Sequence, residues 1–139
     1  MPYRTVSPLA ALLLLAAPAL AEGDPAAGEA AFKQCQACHV VRNDAGEVLA
    51  GRNARTGPNL YGLPGRVMGS VEDFAYSDAF EEAHAAGTAW DEEAFVTYVQ
   101  DPSAFLSEVL GHKSRGKMTF RLRKEEDARD IWAFFESLD

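Results

Sequence analysis

The segment Cys35-Gln36-Ala37-Cys38-His39 holds both cysteines of the chain and sets one of its three histidines directly after the second. Two thiols and an imidazole this close, with nothing comparable elsewhere in the 139 residues, restrict the chemistry to a few possibilities. A disulfide or a thioredoxin-like redox pair is one, but such a centre sits in a βαβ setting, and none is readable here. Zinc wants four ligands at tetrahedral spacing, whereas His84 and His112 stand isolated in the sequence. Covalent attachment of haem is the third, and Cys-x-x-Cys-His is its local signature. About one helical turn separates the sulfurs, so both can bond the vinyl groups along one side of a porphyrin. His39 is then held over the ring's centre, where its imidazole can bind iron. Thioether bonds also prevent loss of the group by simple dissociation. The expected cofactor is one covalently bound haem c.

The rest of the chain suits a fold built around such a group. Asp24-Pro25 reads as a helix N-cap with proline at the first helical position, and Gly28, Phe32 and Cys35 then share a face. Further helices are expected from Ser77 to Gly87, through Trp90-Asp91 to Gln100 with Asp91, Glu92 and Glu93 at its positive end, from Asp101-Pro102 to Gly111, and from Lys124 onward. The last places Ile131, Phe135 and Leu138 together, with Phe134 adjacent, most simply as core contacts. Between Val40 and Gly69 eight Gly and Pro residues break every periodicity. A tract of about thirty irregular residues in a small domain implies that it wraps something. No strand-length alternation is visible. The expected fold is all-α, with about five helices and long loops around one haem.

Ahead of this domain, residues 1–21 have Arg4, an apolar run from Leu9 to Ala17 and small residues at Ala19 and Ala21, the layout of a secretory signal peptide cut before Glu22. The run is short of the roughly 20 residues that span a bilayer, and Pro18 interrupts it. A domain of residues 22–139, soluble in the bacterial periplasm, is expected. The whole chain has a formal charge of −8, and removing residues 1–21 makes the remainder more acidic still. Nucleic acid is therefore no partner. From Val67 to Gly111 there is no Lys or Arg, while Lys113, Arg115, Lys117, Arg121, Arg123 and Lys124 follow closely. Such a run is a solvated loop or a docking face.

Iron needs a ligand on its other side or a vacancy there. Met68, Met118, His84, His112, Lys113 and Lys117 are the candidates. Methionine is more often core filler than ligand. Met68 follows tight turns soon after His39, whereas Met118 comes late enough for the intervening helices to pass around the ring, which favours Met118.

CQACHV, TGPNLYGLPGR, FAY, AWDEEAFVTYVQDP and GKMTF, in that order, resemble the class I c-type cytochromes, most of all the bacterial cytochrome c2 type, over nearly all the chain from Gly23. The resemblance implies thioether anchors at Cys35 and Cys38, a proximal ligand at His39 and a distal one at Met118. It implies that the Pro58 carbonyl takes the other ring nitrogen of His39, that Arg66, Tyr76 and Trp90 serve the haem propionates, and that Tyr98 stands beside the methionine sulfur. Gly28 and Phe32 match the crossing of first and last helices, near Ile131 and Phe134. Phe80 and Gly116 depart from the mitochondrial pattern, which has asparagine and threonine there, and the loops from Asn43 to Asn53 and from Ser107 to Arg115 look longer.

Histidine and methionine together leave iron no open position, which suits an electron shuttle better than an enzyme. A haem peroxidase or a gas sensor, with Met118 off the iron, is the alternative. The resemblance implies a cytochrome bc complex as donor and a photosynthetic reaction centre or terminal oxidase as acceptor. These would meet a monomer at a basic face formed by Lys113, Arg115, Lys117 and Arg121.

Overall fold

The computed structural model describes residues 22–138. The expected signal peptide, residues 1–21, lies outside them. Five helices form where the sequence predicts them. Helix α1, Pro25–Ala31, starts on the Asp24 side chain, which accepts hydrogen bonds from the Ala26 and Ala27 amides. A cap of this kind stabilises by about 1 kcal/mol. A 3-10 turn, Phe32–Gln34, continues it and delivers Cys35. Helix α2, Asp78–Ala85, is capped by Ser77; α3, Glu92–Gln100, by Asp91; α4, Pro102–Leu110, by Asp101. Gly111 closes α4 in the left-handed conformation, φ 73°. Helix α5, Glu125–Glu136, has no side-chain cap but carries Glu125, Glu126 and Asp127 in its first turn, where acids meet the positive end of the helix dipole.

The packing between α1 and α5 is the most extensive between any two elements. Gly28 makes it possible: a Cβ there would lie 1.9 Å from the Asp130 carbonyl oxygen. Any side chain at this crossing would force the helices apart. Phe32 then sits with its ring 6.2 Å from Phe134 and 6.0 Å from Phe135. Helix α3 packs on α5 through Phe95, whose ring lies 5.7 Å from both Trp132 and Phe135. Arg129 of α5 bridges Glu92 and Glu93 of α3 as well as Glu125 of its own helix. Helices α3 and α4 meet through Tyr98 and Phe105, edge to face.

One element departs from expectation. The tract after His39 begins with an antiparallel hairpin, β1 (Val40–Arg42) against β2 (Val48–Gly51), pairing Val40 with Gly51 and Val41 with Ala50 before the register shifts. Strands of three and four residues are too short for an alternating pattern to show. Asn43 closes the turn, its side chain accepting from the Glu47 amide. Beyond Gly51 the chain runs to Tyr76 without a helix or a paired strand, as the glycines and prolines foretell. It is fastened by backbone bonds: Gly57 N–H to the Cys38 carbonyl, Leu60 N–H to that of Val40, Trp90 N–H to that of Arg66, and Met68 N–H to that of Thr88. Among the described residues no helix is long and apolar enough to cross a membrane.

Candidate cofactor site

The irregular tract and the helices enclose a cavity of about 500 Å³, within the range of ligand-binding pockets. Its walls come from distant parts of the chain: Cys35, Cys38 and His39; Gly57 to Arg66; Tyr76 to Phe80; Trp90 to Val99; Lys117 to Phe120; and Ile131 and Phe135 of α5. Cys35 and Cys38 are not joined to each other. Burial, helped by the neighbouring Cys38, pushes the Cys35 thiol up to about 11. The pair stands in a turn after a short 3-10 segment and ahead of a two-stranded hairpin, not in the βαβ setting of a thiol oxidoreductase. Among the described residues no cluster of three or more His, Cys, Asp or Glu could hold a metal ion, which leaves the zinc reading without a ligand set.

His39 is fixed from two directions. Its Nδ1 donates to the Pro58 carbonyl at 2.9 Å, which leaves the Nε2 lone pair free. Burial lowers its pKa, opposed in part by the Pro58 bond, so the ring is neutral at pH 7, the form that binds metals. Gly57 is the second constraint, since a Cβ there would come within 2.3 to 2.7 Å of three ring atoms. The backbone passes so close to the imidazole that only glycine fits.

Of the six candidates for the sixth position, Met118 and Lys117 line the cavity. The Lys117 ammonium is engaged, donating to the Ala75 carbonyl. Met68 is wholly buried in the core and outside the cavity. His84 lies on an exposed position of α2 and donates from Nδ1 to the Met68 carbonyl. His112 and Lys113 are exposed and away from the cavity; His112 Nε2 bonds the Glu82 carboxylate at 3.0 Å.

Arg66, Tyr76, Trp90 and Tyr98 all line the cavity. Arg66 donates to the Tyr61 carbonyl at 2.8 Å and to that of Asn59 at 3.0 Å, clamping the loop it closes. The Tyr76 hydroxyl accepts from the Val71 amide at 3.4 Å. Burial raises the hydroxyl pKa of both Tyr76 and Tyr98, keeping them protonated donors. Sequence reasoning assigned Ile131 and Phe135 to the core alone, yet both also face the cavity, as do Leu60 and Leu63. Nothing in the periodicity of α5 distinguishes a wall from a core contact, since both are apolar.

No family model matches the chain. It is 57% identical over 137 residues to the cytochrome c2 of Cereibacter sphaeroides, covering 96% of this chain and 94% of that protein. The cytochrome c2 of Rhodovulum adriaticum is 57% identical over 117 residues, 84% of this chain and 93% of the relative. A crystal structure of cytochrome c2 from Rhodobacter sphaeroides superposes with a TM-score of 0.81 at 58% identity, over 84% of this chain and 96% of that one. The chain belongs to the class I c-type cytochromes, close to cytochrome c2. This cytochrome is therefore an electron carrier with one covalent, iron-containing haem c.

The residues of the cavity fit that group. Two thiols at one-turn spacing and a neutral imidazole with a free nitrogen stand on its wall, and a thioether from a late loop shares it. The side chains of Trp90 and Tyr98, one with an indole N–H and one with a hydroxyl, both line the cavity. Polar donors of this kind, set in an apolar wall, suit a largely apolar ring with a polar margin.

Proposed function

We propose that this cytochrome is a soluble periplasmic one-electron shuttle, released by removal of residues 1–21, in which Cys35 and Cys38 would anchor the haem as thioethers and His39 and Met118 would hold its iron. The observation that carries the reading is that Met118 shares one cavity with Cys35, Cys38 and His39, while Met68 does not. Haem c, when bound, supplies the one-electron iron couple. The Pro58 carbonyl holds the His39 tautomer so that Nε2 is the ligating atom. Met118 offers a neutral, soft sulfur that favours the ferrous state and raises the potential, and the apolar walls Leu60, Leu63, Phe95 and Ile131 exclude water and favour the less charged form. Trp90, Tyr76 and Arg66 are the donors and the positive charge available to propionates.

Electron exchange is assigned to the cavity mouth, where Lys117 and Phe120 are exposed. Lys113, Arg115, Lys117 and Arg121 form the docking face for a cytochrome bc complex as donor and a photosynthetic reaction centre or terminal oxidase as acceptor. Arg121 contributes less than its formal charge, because Asp101 pairs with it at 3.1 Å. Association rates should fall as salt rises. The decisive experiment is a reduced-minus-oxidised spectrum of the purified mature protein, followed by exposure of the ferrous form to carbon monoxide at neutral pH. A c-type spectrum with no carbon monoxide uptake is expected. Ready uptake would mean an open sixth position and would sink the carrier reading.

A further inference from the structure

Gly116 is buried although it lies in an irregular loop, two residues before Met118. A Cβ built on it would stand 3.0 Å from Leu106 Cδ1 of α4 and 3.6 and 3.8 Å from two ring carbons of Phe80 of α2. The first distance is tighter than ordinary contact and the other two are ordinary contact, so a larger side chain presses on Leu106 at once and on Phe80 as it extends. Leu106 is fully buried. The Phe80 ring lies 5.6 Å from Tyr76, 6.2 Å from Trp90 and 5.6 Å from Tyr98, and all four rings line the cavity. Close-packed interiors transmit displacement instead of absorbing it. The softest body at this contact is therefore the loop itself. It has no helix or strand from Gly111 to Lys124, and it is tied by Ser114 N–H to Ser107 Oγ upstream and by Leu122 N–H to the Val99 carbonyl downstream.

We propose that Phe80 and Gly116 are a matched pair of positioning residues, an aromatic ring packed, with Leu106, against the position that carries no side chain, which sets the seat of the Met118 loop and so the hold of its sulfur on iron. The proposal rests on the reading of Met118 as sixth ligand. A larger residue at 116 lifts the loop; a smaller one at 80 lets it sag. Either change moves Met118, because only Lys117 intervenes. The two residues act as one unit, so enlarging one while shrinking the other restores the fit.

The test is the affinity of ferric holoprotein for imidazole, which competes with Met118 for the sixth position, read alongside Tm. Gly116→Thr overpacks the contact and should tighten imidazole binding about tenfold or more. Phe80→Ala should tighten it by a few-fold. The Gly116→Thr/Phe80→Ala double variant should return to within about twofold of the parent, a non-additivity expected of coupled residues and not of independent sites. Where Gly116→Thr yields no holoprotein, Gly116→Ala answers the same question, with about threefold tightening expected, since a lone Cβ already meets Leu106 at 3.0 Å.

Met118→Ala separates the two claims. If it leaves imidazole binding unchanged, Met118 is not the ligand and the reading beneath the proposal fails. If it opens the iron while the substitutions at 116 lower only Tm, or the double variant is as loose as the sum of the singles, the ligand reading stands and the matched pair is wrong.

Discussion

The segment around His39 and the segment around Met118 meet at one cavity but are held there by different means. His39 lies between residues that the chain fixes by backbone geometry: Cys35 and Cys38 in a turn, Gly57 N–H on the Cys38 carbonyl at 2.7 Å, and the Pro58 carbonyl on Nδ1. Met118 is carried by a loop whose attachments are mostly side chains: His112 on Glu82, Ser114 on Ser107, and Lys117 on the Ala75 carbonyl. Backbone bonds that close a turn are lost only with the turn, whereas side-chain clips at or near the surface compete with water one by one. The proximal side is thus built as scaffold and the distal side as a fastening that can yield locally.

The strongest way to break that contrast is at Gly57. Gly57→Val puts atoms where the His39 ring stands, and the yield of holoprotein should fall by an order of magnitude or more, as measured by haem absorbance per unit of protein. A normal yield with normal spectra would show that the proximal side can flex after all. Met118→Ala comes next. It should leave haem attached and the fold intact but lower the potential by on the order of 0.1 V, read by redox titration. An unchanged potential would remove Met118 from the iron.

Much of this division is written in the residues. Asp24-Pro25, Ser77, Asp91 and Asp101-Pro102 announce four helix starts, because N-cap chemistry is local. Cys35 to His39 announces the proposed anchor, because two thioethers and a histidine ligand would need only one turn of chain. The hairpin from Val40 to Gly51 is not legible, since its strands are too short to show a period and its pairing is decided by the loop around it. The distal side is legible in its ligand candidates but not in its fastening. That His112 reaches Glu82, or that Phe80 fills the space beside Gly116, depends on α2 and α4 packing across sequence distances that no local pattern reports.

A smaller effect is expected at Lys117. Lys117→Ala removes the bond to the Ala75 carbonyl and one charge from the cavity mouth. Imidazole should bind about two- to threefold more tightly, in keeping with the net worth of one exposed hydrogen bond. The rate of electron transfer to an acidic partner should also lose part of its salt dependence. Equal imidazole affinity with an altered salt slope would assign Lys117 to docking alone and leave the loop to its other ties.

The least of these effects, and the one that reports most directly on the distal fastening, is at His112. Its imidazole bonds the Glu82 carboxylate at 3.0 Å, and that bond, ahead of one to the Lys113 backbone and the plain attraction of Glu82, raises the His112 pKa above the ordinary value. A raised folded-state pKa means that the protonated form is the one stabilised by folding. The contribution is therefore complete below the unfolded value of about 6.5 and is lost as pH rises through the higher folded value. Both side chains are about half exposed, 55% and 51%, so solvent screens the pair and its worth is small. Glu82→Gln should lower Tm by on the order of 1 °C at pH 6, and in alkali, above the raised His112 pKa, the two proteins should melt together. The Ser107–Ser114 bond carries no ionisable group and should be indifferent to that change. A gap between parent and variant that persisted or widened in alkali would mean that Glu82 holds the loop by some other contact than His112.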